Sequence, residues 1–133
     1  MERKNPSLKA LKKGWEPHFR RLKTTAQKWQ KPIVFTEVGY RSSRDAGIHP
    51  WEWEPKGEIP KEEISPKVQA LCYQAMFERF WAEDWMEGVI IWKWTHENYQ
   101  QAGDYSRRRR TPSPVSFSPK KDAEQVLTDW FAK

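Results

Sequence analysis

Little in this chain can carry metal or redox chemistry. Cys72 is its one cysteine, which excludes an intrachain disulfide and any thiolate metal cluster. The three histidines, His18, His49 and His96, stand far apart without ligand spacing. No metal and no cofactor are expected. No apolar run of about 18 residues occurs, so no membrane span is expected. The N-terminal segment is basic but lacks the apolar centre of a signal peptide. The compartment is therefore open.

What the 133 residues do hold is aromatic surface. Phe, Trp and Tyr make up 14% of the chain, with nine Trp, despite a mean hydropathy of −1.00. Disordered segments are poor in such residues. So many large rings call for a core, or for a surface that stacks planar or sugar-like ligands. The length suits one ordinary domain. The net charge of +6 comes from residues 1–31 and from the run Arg107–Arg110. Such a run can contact phosphates, but no nucleic-acid motif accompanies it, and in a polar loop it reads as solvated.

Residues 31–40, Lys-Pro-Ile-Val-Phe-Thr-Glu-Val-Gly-Tyr, carry the sharpest signal. A short apolar strand, Ile33-Val34-Phe35, runs into a carboxylate, Glu37, and a glycine turn. Three consecutive apolar residues fit a strand buried on both faces. A carboxylate ending such a strand needs partners or a task. At the carboxyl end of a parallel α/β strand it stands where barrel enzymes gather catalytic groups. A salt-bridged surface Glu is the competing reading.

Residues 1–30 read as a helical lead-in. Asn5-Pro6 can open a helix, with Leu8, Leu11 and Trp15 along one face. Pro17 is expected to interrupt it. Phe19, Leu22, Ala26 and Trp29 then continue the stripe. Residues 41–64 read as a long loop with Trp51 and Trp53, either of which suits a ligand wall. Ser65-Pro66 starts a helix expected over 65–87. Its apolar residues cover so wide an arc that contact on more than one side follows. A second strand is expected over 88–95, where Trp92 and Trp94 point the same way and Lys93 the other. Residues 96–117 read as a polar loop, in which His96 and Glu97 are solvated. A last amphipathic helix is expected over 118–132, with Ser118-Pro119 as its cap. Trp15, Trp29, Trp81, Trp85 and Trp130 read as helix packing, and Cys72 as a small core residue.

The order is helix–strand–helix–strand–helix, an α/β arrangement. Strands joined through a helix pair in parallel by a right-handed crossover. Two such strands are not a stable sheet alone. The chain, one partial domain over 1–133, is expected to be completed by a missing N-terminal segment or by self-association.

Phe35-Thr36-Glu37-Val38-Gly39-Tyr40-Arg41-Ser42, Pro50-Trp51, Gln69 with Tyr73, Gly88 to Trp94, and Phe117-Ser118-Pro119 with Lys121, Ala123 and Glu124 stand in one order. Together they resemble the C-terminal end of a clan A glycoside hydrolase, a (β/α)₈ TIM barrel, and most resemble glycoside hydrolase family 113. The known activity of that family is endo-β-1,4-mannanase. Asp122 and the Arg107–Arg110 run depart from its pattern.

The resemblance implies that the two strands are barrel strands seven and eight. It makes Glu37 the nucleophile and Trp94, or Trp92, the aromatic platform beneath the sugar. Tyr40 and Trp51 become further substrate contacts, and the ligand a polysaccharide or oligosaccharide. The acid/base glutamate of such enzymes ends strand four after an Asn. No Asn-Glu pair occurs here, so the isolated chain is expected to be inactive. The alternatives are a truncated carbohydrate-binding product and, behind it, a basic nucleic-acid-binding module.

Overall fold

The computed structural model describes residues 5–52, 60–92 and 122–133. Three helices and two strands alternate: α1 (Leu8–Trp29), β1 (Ile33–Val38), α2 (Pro66–Phe80), β2 (Met86–Ile91) and α3 (Asp122–Phe131). A short 3₁₀ turn, Lys61–Glu63, precedes α2. The two strands pair in parallel through α2, and the helices cover one face of the sheet.

Helix α1 begins one step later than Asn5-Pro6 suggests. Ser7 is its cap, with Oγ accepting from the Ala10 N–H at 3.2 Å. Pro17 does not interrupt it; the helix runs through as one piece. Pro17 lies on the exposed side, where water can replace the lost backbone bond, while Trp15 and Phe19 anchor the turns around it. The stripe that packs is Leu11, Trp15, Phe19, Leu22 and Ala26. Trp29, expected to pack, is 66% exposed. It is the last helical residue before Gln30 turns the chain away in a left-handed cap.

Helix α2 is the centre of the molecule. Ser65 caps it through the Val68 N–H, and Pro66 opens it. Val68, Cys72, Tyr73, Ala75, Met76, Phe77 and Phe80 are all buried, since α1 packs on one side and α3 on another. It ends at Phe80, well short of 87. The cause is Trp85: its ring sits against Phe19 at 5.5 Å and Phe80 at 6.1 Å, which draws the chain back into the sheet. The Trp85 carbonyl already accepts from the Ile33 N–H at 2.8 Å. Strand β2 therefore starts at Met86 and ends at Ile91, two residues earlier at its start than the sequence suggests and just before Trp92.

Rings join the layers. Trp15 stacks on Phe35 at 6.3 Å and meets Phe80 edge-on at 5.2 Å. Phe77 stacks on Trp130 of α3 at 5.5 Å. Pairs of this kind add about 1 kcal/mol each beyond the area they bury. The Arg79 guanidinium lies 3.1 Å from the centre of the Phe19 ring and pairs with Glu16 of α1. Cys72 is a buried core residue, and burial pushes its thiol up to about 12.

The strands are not buried on both faces. Val34 is 45% exposed and Ile90 58% exposed. Val34 registers with Gly88, so Val34 and Ile90 share the face opposite the helices. In the described residues nothing covers that face. The Ser118-Pro119 cap expected for the last helix lies outside the described residues.

Candidate functional site

Strand β1 does not keep pace with its partner near its end. Phe35 pairs with Val89 and Val38 with Ile91, so β1 carries one residue more than β2 across that interval. The surplus is a bulge at Thr36-Glu37. A bulge breaks the alternation of side chains and re-aims one of them. Here Thr36 and Glu37 are both exposed and Val38 is buried. Glu37 thus stands clear of the ladder at the carboxyl end of its strand. The ladder then closes behind it, the Trp92 N–H donating to the Val38 carbonyl at 2.8 Å.

Past Glu37 the chain is pinned. The buried amide of Gln69 donates to the Tyr40 carbonyl at 2.7 Å. The Tyr40 ring meets Tyr73 edge-on at 5.0 Å. Burial holds the Tyr40 hydroxyl well above the usual tyrosine range, opposed by a hydrogen bond with the Trp15 side chain. The Tyr73 hydroxyl is likewise raised by burial. Both rings stay neutral at any working pH.

The following loop is braced rather than loose. Ser43 bridges Ile64 in antiparallel fashion. The Arg44 N–H donates to the Glu63 carbonyl at 2.9 Å, and the Ser65 N–H to the Ser42 carbonyl at 2.9 Å. Gly47 lies against α1: a Cβ there would stand 2.5 Å from Leu11 Cδ2 and 3.4 Å from Cys72 Sγ. A larger residue there would have to push the end of the Leu11 side chain aside.

These elements border an open cavity of about 700 Å³, whose lining includes Glu37, Tyr40, Ile48 and Trp51 with Trp15 and His18. A groove of about 390 Å³ continues from it along the outer edge of β1, between Val34, Thr36 and the Leu22 and Arg21 side of α1. Three of the expected site residues, Glu37, Tyr40 and Trp51, therefore meet around one space. Trp51 is 71% exposed and takes the His49 ring edge-on at 5.3 Å. Trp92 follows β2, is half-buried, and is not part of the lining. Trp53, Trp94, His96, Glu97 and Arg107–Arg110 lie outside the described residues.

Trp15 and His18 were not legible as cavity residues. Trp15 sits on α1 at a packing position and His18 at an exposed one, and only the approach of β1 to that helix brings both beside Glu37. Among the described residues, no group of three His, Cys, Asp or Glu could hold a metal ion. No described helix is long and apolar enough to cross a membrane.

Comparison with curated proteins found no match. Among solved structures, the chain is similar to a GH113 β-1,4-mannanase in a complex, with TM-score 0.67, 22% identity, and coverage of 90% of this chain and 35% of that one. It is also similar to the GH113 β-mannanase of Alicyclobacillus acidocaldarius in complex with ManMIm, with TM-score 0.64, 23% identity, and coverage of 91% and 36%. The chain thus spans about a third of the length of these relatives, and its α/β fold matches that portion of their TIM barrel. The family model for Glycoside Hydrolase Family 113 matches residues 5–109, and with the strand, bulge and cavity described above the chain belongs to that family.

Proposed function

We propose that this chain supplies the nucleophile side of a retaining glycoside hydrolase acting on β-linked polysaccharide, with β-1,4-mannan as substrate. The observation that carries the reading is Glu37: a bulge turns it out of the sheet into the cavity that Trp51 and Tyr40 also line. The mannanase relatives supply the substrate class.

In this reading a Glu37 oxygen attacks the anomeric carbon, and the glycosidic oxygen leaves with a proton from a second carboxylic acid. The glycosyl-enzyme is then hydrolysed by water that gives its proton to that same group. Retention requires the two carboxyl groups about 5–5.5 Å apart. Glu37 is the one carboxylate in the described lining of the cavity. The acid/base group would come from barrel not spanned by these residues, so the chain alone hydrolyses nothing. Trp51, with Trp94 or Trp92, offers ring faces on which the axial C–H edges of a sugar pack while its hydroxyls stay at the rim. Tyr40, neutral and buried, backs the cavity beside Glu37 with its hydroxyl held by the Trp15 side chain.

Completion of the barrel, by a preceding segment or by association, is supported by the bare face at Val34 and Ile90 and by the groove along β1. A carbohydrate-binding product without hydrolysis is the second reading, favoured by the single carboxylate of the cavity.

The test is β-mannan hydrolysis by a polypeptide holding the whole barrel. Glu37→Gln should lower kcat by at least about a thousandfold, and the 133-residue chain alone should release no reducing sugar. Unchanged activity in the variant removes Glu37 from this role.

A further inference from the structure

Arg41 follows Glu37 by four residues, and its side chain is 5% exposed. A guanidinium so deeply buried requires anionic partners. It has two. Its Nη2 lies 3.5 and 3.4 Å from the Asp45 carboxylate oxygens and 3.7 Å from Glu52 Oε2. Ser43 Oγ donates to Asp45 Oδ1 at 2.6 Å and fixes that carboxylate.

The two acids end one loop. At its start, the Asp45 carbonyl accepts from the Ile48 N–H at 2.8 Å and the His49 N–H at 3.2 Å. At its end, the Glu52 N–H donates to the His49 carbonyl at 3.1 Å. Between them Ile48, Pro50 and Trp51 line the cavity. The base of the loop is tied elsewhere, by the Arg44–Glu63 and Ser42–Ser65 backbone bonds. At the far end, beside the Glu52 N–H bond to His49 and the His49–Trp51 ring contact, Arg41 reaches across to Glu52.

We infer that Arg41 is a positioning residue: it clasps both ends of the 45–52 loop and so holds Trp51 as a wall of the cavity that Glu37 enters. The inference rests on the sugar-binding reading above. A single nitrogen, Nη2, faces both carboxylates, and the long arginine side chain carries it to them, where a lysine ammonium on its four-carbon stem falls short.

Two measurements test it. The first is amide hydrogen exchange in the chain at Ile48, His49 and Glu52. Arg41→Lys should speed exchange there by about tenfold while β1 amides stay unchanged. Glu52→Gln should do the same; that side chain is 51% exposed, so folding survives the change. The second is mannotetraose binding by the polypeptide holding the whole barrel, followed by tryptophan fluorescence. Each variant should weaken it by about tenfold, and the double variant no further, because both cut one linkage. Unchanged loop exchange overturns the clasp. Faster exchange with unchanged affinity overturns its positioning role. Trp51→Ala is the separate control: if the unsubstituted whole barrel does not bind mannotetraose, or Trp51→Ala binds it equally well, the functional reading falls and this role with it, while the exchange data still report whether the clasp exists.

Discussion

The side-chain amide of Gln69 donates to the backbone carbonyl of Tyr40 at 2.7 Å, and both residues are buried. One helix residue thereby fixes where the chain goes after Glu37. Gln69→Leu leaves that carbonyl without its donor in a dry environment, which costs about 1–3 kcal/mol. The urea midpoint should fall accordingly. An unchanged midpoint would mean that the carbonyl finds another donor.

The ring cluster sets a contrast between two large aromatics. Phe80 touches Trp15, Phe19, Phe35 and Trp85. Phe80→Ala should cost about 3–5 kcal/mol. Trp29→Ala, at an exposed helix end, should stay within about 0.5 kcal/mol. Thermal melts of both variants decide whether the stripe on α1 has been placed correctly.

Cys72 gives a pH dependence with a definite sign. Its folded thiol is raised from 9.0 to about 12 by burial. The neutral form is thus favoured by folding, and the contribution is whole below pH 9. Above that pH the unfolded chain ionises first, and stability falls by roughly 1 kcal/mol per unit. Urea melts between pH 8 and 10, below the range where the buried Tyr40 and Tyr73 add a slope of the same sign, measure it, and Cys72→Ala should flatten it there. A thiol reagent should label Cys72 no faster than the chain unfolds.

The bare sheet face predicts association. Val34 and Ile90 are exposed on the same side of a two-stranded sheet, and open edges and apolar patches of this kind recruit other chains. The isolated chain should sediment as oligomers. Val34→Lys combined with Ile90→Lys should shift it toward monomer. A monomer at high concentration in the unsubstituted chain would contradict this.

Much of this fold is written locally. Ser65-Pro66 caps α2 as it stands in the sequence, and the stripe from Leu11 to Ala26 marks the packed side of α1. The helix–strand–helix–strand–helix order follows from such signals. The misreadings arise where distant contacts decide. Trp85 ends α2 early because Phe19, far back in the chain, receives its ring. Pro17 is tolerated because the residues around it are held by packing. The site divides the same way. Glu37 was legible from its strand, and Trp51 from its loop. The bulge that turns Glu37 outward exists only in the register with β2, and the cavity face of Trp15 and His18 only in the approach of α1. Arg41 gives no local sign that Asp45 and Glu52 will converge on it.

The parallel pairing has a consequence for the order of events in folding. Ile33 meets Met86, with all of α2 between them. The strands cannot find each other through a tight turn, so the loop closure is costly until α2 has formed and collected its rings. Strand β1 should therefore be among the last parts to lock. Until then Glu37 has no bulge and the cavity has no floor, and the period in which this chain is most open to capture by other strands is the period before its own site exists.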